Sequence, residues 1–158
     1  MGFGEAIATC LSKYFRFNGR ARRSEYWWFV LFTILVTIAA GLVDQAAHLG
    51  MPGHGPIRSL ASLLLLLPSQ AVTVRRLHDT NNSGFLLLGF YVYVIVAVFA
   101  AFWLFGWGWS GDWMGPQFKY ALVLLGIAFV YALWLFVLTV LKGTDGPNKY
   151  GEDPLKAG

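Results

Sequence analysis

Residues 75–84 read Arg-Arg-Leu-His-Asp-Thr-Asn-Asn-Ser-Gly, the densest run of hydrogen-bonding side chains in a very apolar chain. Such residues can do several things. Guanidinium forks bind phosphate or carboxylate groups through paired N–H donors. His78 is a candidate general base, with Asp79 or Glu25 to orient it or act as the acid. Arg75 and Asp79 stand four residues apart and can pair if a helix continues through them. Neighbouring residues diverge by about 100° around a helix, so His78 and Asp79 need not touch.

Two other polar stretches accompany this run, Asn18–Glu25 and Lys142–Pro154. Everything between them is suited to lipid. The 158 residues are 57% hydrophobic and 13% charged, against about 25% charged in an ordinary soluble domain. A soluble fold of this size cannot hide so much apolar surface. The expected fold is an all-α membrane protein, one polytopic domain over residues 1–158. The net charge of +4 comes from basic residues flanking apolar spans, and no basic, aromatic-interleaved soluble module is present, so nucleic acid is not an expected partner. Cys10 stands alone and cannot form an intrachain disulfide. The first 25 residues lack the pattern of a cleaved signal peptide.

Four transmembrane helices are predicted, at about 26–43, 57–74, 85–107 and 120–141, with a tail over 142–158. Ahead of them, Ile7, Cys10, Leu11, Tyr14 and Phe15 recur at helical spacing within residues 4–16. That pattern fits an amphipathic helix lying in the membrane interface, or one packed on the rest of the protein. Asn18 and Ser24 are candidate N-caps for the first span, and Tyr26, Trp27 and Trp28 mark an interface. Gly50–Pro56 reads as a loop. The second span contains Pro68, which leaves the Leu64 carbonyl without its helical donor. Ser69, Gln70 and Thr73 follow it, so the last two turns are expected to face protein or water. Arg76 shares a helix stripe with Ser69 and Thr73, and Glu25, Asp79 or Asp153 are its candidate partners. The second and third spans form an antiparallel hairpin, with Ser83 or Asn82 as the cap and Gly84 to relax the turn. Trp107, Trp109 and Trp113 are expected to form an aromatic belt. Lys142-Gly143 then ends the fourth span with a cation and a glycine stop.

Ten of the twelve Lys and Arg residues fall on one side of this topology, leaving only Arg58 and Lys119 on the other. The bias places both termini in the cytoplasm of a bacterial inner membrane. The three polar stretches then share the cytoplasmic face, where the candidate ligand-binding residues are Arg20, Arg23, Glu25, Arg75, Arg76, His78, Asp79, Asn148 and Asp153.

Three ordered motifs carry a family resemblance. They are Phe17-Asn18-Gly19-Arg20-Ala21-x-Arg23-x-Glu25-Tyr26-Trp27, Arg75-Arg76-Leu77-His78-Asp79-x-x-x-Ser83-Gly84 and Gly146-x-Asn148-x-Tyr150-Gly151-x-Asp153-Pro154. Together they resemble the bacterial inner-membrane family called domain of unknown function 805, over nearly the whole chain. The resemblance implies a small polytopic inner-membrane protein and brings no activity with it. Phe85-Leu86-Leu87 departs from the aromatic residues that members often carry after the Ser-Gly.

Several roles fit this face. Its charges can serve topology and turns alone. Alternatively, it binds an anionic group or a protein partner, making the chain a binding or accessory protein. A small oligomeric channel or transporter would use the broken second span. An enzyme has the least support, since no nucleophile motif or metal signature is present. The expected partners are the bilayer, anionic lipid headgroups or a membrane protein, and further copies of the chain. No cofactor and no metal is expected. Asp44, His48 and His54 have helix-plus-loop spacing for zinc, but an Asp and a His at a span's end are common without it. Tyr91, Tyr93, Tyr131 and Trp134 read as packing residues.

Overall fold

A computed structural model describes residues 1–49, 55–107 and 116–155. The Trp belt side chains, most of the Gly50–Pro56 loop, His54 and Lys156 lie outside the described residues. The described residues form five helices and no strand: α1 (Phe3–Ser12), α2 (Arg23–Ala46), α3 (Pro56–Asp79), α4 (Phe85–Trp107) and α5 (Pro116–Val140). The last four are long and apolar enough to cross a membrane. At 24 residues each, α2 and α3 reach about 36 Å, longer than a hydrocarbon core of about 30 Å. Both therefore overrun the predicted spans at their polar ends. The helical backbone continues there because the polar side chains find partners instead of breaking it.

The chain divides into two compact units. The first holds α1, α2, α3 and the tail. Its core is Cys10, Ala21, Phe29 and Val72, with Tyr26, Phe32 and Leu65 packed against it. Helices α2 and α3 run antiparallel, and each end of the pair is tied. At one end the Asp44 carboxylate accepts the backbone N–H groups of Ile57 (3.0 Å) and Arg58 (2.8 Å). It thereby caps α3, whose own N-cap is Gly55 with Pro56 at the first turn. This occupies Asp44 structurally, which argues against its use as a zinc ligand.

Pro68 divides α3 into two different halves. Before it, Leu60, Leu63 and Leu64 are exposed; after it, Ala71, Val72 and every residue from Arg75 to Asp79 are buried. The orphaned Leu64 carbonyl accepts the Tyr14 hydroxyl. Ser69 and Thr73 donate to the carbonyls four residues back, Leu65 (2.6 Å) and Ser69 (2.7 Å).

Helix α1 stops at Ser12, short of the predicted Arg16, and the chain turns so that Tyr14 reaches α3. It packs on α2 through Ala6 and Cys10, while Phe3, Leu11 and Phe15 stay exposed. It is thus docked on the protein and still presents an apolar edge. Neither Asn18 nor Ser24 caps α2. The N-cap is Arg22, with no side-chain cap bond, because the helix starts two residues earlier than a Ser24 cap requires.

The second unit is the antiparallel pair α4 and α5. The Tyr93 hydroxyl donates to the Leu124 carbonyl and that of Tyr131 to the Leu86 carbonyl, each at 2.8 Å. The Tyr131 ring stands edge-on to Phe90 at 5.5 Å.

Candidate functional site

The other end of the α2–α3 pair gathers the three polar stretches. On α3, Arg75 Nη1 donates to Glu25 Oε1 of α2 at 2.5 Å. The same oxygen accepts the Cys10 thiol of α1 at 3.7 Å. Burial first, and then the Glu25 charge, pushes the Cys10 thiol up to about 12, so it stays protonated and serves as a donor. The expected Arg75–Asp79 contact does not form. Glu25 takes Arg75, and Asp79 is engaged from two other directions.

Asp79 is the hub of the junction. Its Oδ2 accepts Arg76 Nη1 one turn earlier on α3. Its Oδ1 accepts Arg20 Nε at 2.9 Å and forms an ion pair with Arg20 Nη2, also at 2.9 Å. Arg20 reaches further, with Nη1 to the Gly146 carbonyl and Nη2 to the Thr144 carbonyl, each at 2.6 Å. All three of its nitrogens are therefore used, and one side chain joins the α2 approach, α3 and the tail. Buried charges are tolerable only when paired and hydrogen-bonded in this way.

Backbone bonds complete the junction. A helix leaves its last carbonyls unbonded, and here the other two stretches take them. Ala21 N–H donates to the Arg75 carbonyl (3.0 Å), Thr144 N–H to Asp79 (2.8 Å) and Asn148 Nδ2 to His78 (3.0 Å). A side chain at Gly143 would collide with the Asp79 carboxylate, so the residue after Lys142 must be glycine for the tail to lie this close. His78 Nδ1 pairs with the Gly19 carbonyl at 3.1 Å, and its ring stacks on Tyr150 at 3.8 Å. The carbonyl bond at Nδ1 and the stacked face fix the tautomer and the orientation of the ring. The Asp153 carboxylate accepts the Gly146 (3.1 Å) and Leu155 (2.9 Å) N–H groups.

Of the nine candidate residues, seven are therefore buried in one network, Asn148 is half-buried in it, and Arg23 is exposed. Beside them opens a cavity of about 360 Å³ lined by Arg22, Arg23, Ser24, Lys142, Thr144 and Leu155 among others. Arg22, Ser24, Lys142 and Thr144 are not among the candidates. They belong to the same polar runs, and only the rotation of α2 separates exposed Arg23 from buried Glu25. Among the described residues, no group of three or more His, Cys, Asp or Glu is placed to hold a metal ion.

Four long apolar helices, with charges concentrated in one buried polar junction, define a small polytopic α-helical membrane protein. The family described as "Protein of unknown function (DUF805)" matches residues 14–152. This chain belongs to that domain of unknown function 805 family, and two of the relatives it matches are inner-membrane proteins. "Inner membrane protein YhaH" of Escherichia coli strain K12 is 34% identical over 147 residues, covering 91% of each chain. "Inner membrane protein YhaI" of the same strain is 33% identical over 146 residues, covering 92% of each. "Uncharacterized protein YiiR", also of that strain, is 31% identical over 152 residues, covering 88% of this chain and 86% of its own. No solved structure matches.

Proposed function

We propose that the protein is a membrane-embedded binding or accessory protein whose polar junction, on the cytoplasmic side, recognises an anionic group or a partner bearing one. The observation that supports this reading is the environment of Arg22 and Arg23. They sit at the N-cap and first residue of α2, the positive end of a long helix dipole, where cations are disfavoured. Arg20, Arg75 and Arg76 nearby each have a carboxylate within the junction. Neither Arg22 nor Arg23 forms a salt bridge among the described residues. Both line the cavity instead. An incoming anion would relieve their mutual repulsion and meet the helix N-terminus as well. The channel reading loses its main feature, because the groups around Pro68 are bonded within the protein.

The test is complementation of a deletion strain under membrane stress by an Arg22→Ala/Arg23→Ala variant with a C-terminal green fluorescent protein, which fluoresces only in the cytoplasm. Normal fluorescence with failed complementation is expected. Full complementation at wild-type level would count against the recognition face. A dark fusion at normal abundance would reverse the orientation.

A further inference from the structure

The geometry points to a phosphate group, carried by a lipid headgroup or free in solution, as the anion that enters the cavity at the start of α2. This rests on the recognition face proposed above and narrows it to one ligand chemistry. The cavity's cations approach from separate elements. Arg22 and Arg23 come from the start of α2 and Lys142 from the head of the tail, while the Ser24 and Thr144 residues add hydroxyls. A carboxylate has two oxygens in one plane and is satisfied by a single guanidinium fork. Donors spread over two elements instead suit a tetrahedral group whose oxygens point in several directions.

The balance of charge agrees. Arg20, Arg22, Arg23 and Lys142 face the cavity against Asp79, Asp145 and Asp153. Asp79 is neutralised from behind by Arg20 and Arg76. Asp153 is held by two backbone N–H groups. Asp145 pairs with Lys142 at 2.9 Å, but both side chains are more than half exposed, and such a surface pair is readily exchanged for a better partner. The cavity lining keeps a net charge of +1, and Arg22 and Arg23 are the cations in it without a salt bridge among the described residues.

Depth and shape also fit. Tyr26, Trp27 and Trp28 follow within two helical turns, with both tryptophans partly exposed, and such residues sit at headgroup level. Basic pockets at that level hold phospholipid headgroups. Leu155 and Pro154 give the cavity an apolar wall against which a glycerol shoulder can rest.

The experiment uses the full chain and two probes. In nanodiscs of mixed lipid, native mass spectrometry compares retained phosphatidylglycerol with phosphatidylcholine. In detergent, thermal unfolding is followed with inorganic phosphate against acetate at equal ionic strength. A preference of about tenfold for phosphatidylglycerol, lost in Arg22→Ala/Arg23→Ala, assigns the phosphate to lipid. Stabilisation by phosphate but not acetate, lost in the same variant, assigns it to a free phosphate. Arg22→Lys/Arg23→Lys, which keeps the charge, should retain part of either response and guards against misfolding of the alanine variant. Neither response in wild type, or an equal response to acetate, overturns the phosphate assignment. If the alanine variant also fails to complement, the recognition face stands and another class of partner occupies it.

Discussion

Each of the two units contains an antiparallel pair of helices of 23 to 25 residues, yet different forces hold each pair together. In the pair α4–α5, among the described residues, two tyrosine hydroxyls bond backbone carbonyls across the helices. Both helices are otherwise strongly apolar, and lipid tails compete for such surfaces on nearly equal terms. In the pair α2–α3 each end is fixed by charge. Asp44 caps α3 at one end, and Glu25, Arg20 and Asp79 close the other. Buried ion pairs add little net stability over an apolar core, but losing one partner is very costly. The first unit should therefore be brittle at a few named atoms, while the second should tolerate most single changes.

The largest effect is expected at Asp79. Replacement by Ala strands two buried guanidiniums and removes the contact around which Gly143 is fitted. Breaking one buried pair costs about 3–5 kcal/mol, a large share of a typical total of about 5–15 kcal/mol. Membrane abundance on a blot should fall severalfold, with little protein recovered as a monodisperse peak. An Asp79→Ala protein that accumulates and unfolds like wild type would show that the junction does not hold the unit together.

Much of this contrast was legible in the sequence. Length and apolar runs gave the four long helices, and the motifs marked the polar stretches that meet in the junction. The pairing was not legible, because it depends on the register of α2 against α3. Glu25 and Arg75 are fifty residues apart, and nothing local favours that pair over Arg75 with Asp79. Arg20, Arg22 and Arg23 look alike in sequence and all line the cavity, but Arg20 is buried with all three nitrogens bonded while Arg22 and Arg23 form no salt bridge among the described residues. Pro68 exposed the need of the Leu64 carbonyl for a donor. It could not say that Tyr14, from a turn after α1, would supply it.

A finer contrast lies within the first unit. Arg20 uses all three side-chain nitrogens, whereas Arg75 uses Nη1 and leaves Nε and Nη2 without a hydrogen bond to the protein. Lysine is a compact charge that can replace one contact but not a planar fork. Hydrogen bonds to charged groups are worth about 1.5–3 kcal/mol each. Arg20→Lys should thus lose at least about 2 kcal/mol, and Arg75→Lys less than about 1 kcal/mol. Fluorescence-detected thermal unfolding in detergent would rank them. Equal losses would mean that charge alone, and not the three-way reach of Arg20, sets the stability of the junction.

The last contrast, which includes the smallest effect, tests whether the two units use tyrosine hydroxyls alike. Tyr131 bonds a carbonyl, that of Leu86, inside an unbroken helix. That carbonyl keeps its helical donor four residues on, so Tyr131→Phe removes only a second bond. Such bonds within membranes average about 0.6 kcal/mol. Tyr14 bonds the Leu64 carbonyl, whose helical donor would have been Pro68, a residue with no N–H. Tyr14→Phe leaves that oxygen without either donor, at a cost of about 1–3 kcal/mol if water cannot reach it. It should also loosen α1, which a thiol probe at Cys10 can read. The thiol is fully buried with its pKa pushed up to about 12, so maleimide labelling at pH 7 is slow in wild type. It should speed up several-fold in Tyr14→Phe and stay unchanged in Tyr131→Phe. Unchanged labelling in both would mean that α1 is held by the packing of Ala6 and Cys10 on α2, with the hydroxyl serving only the proline kink.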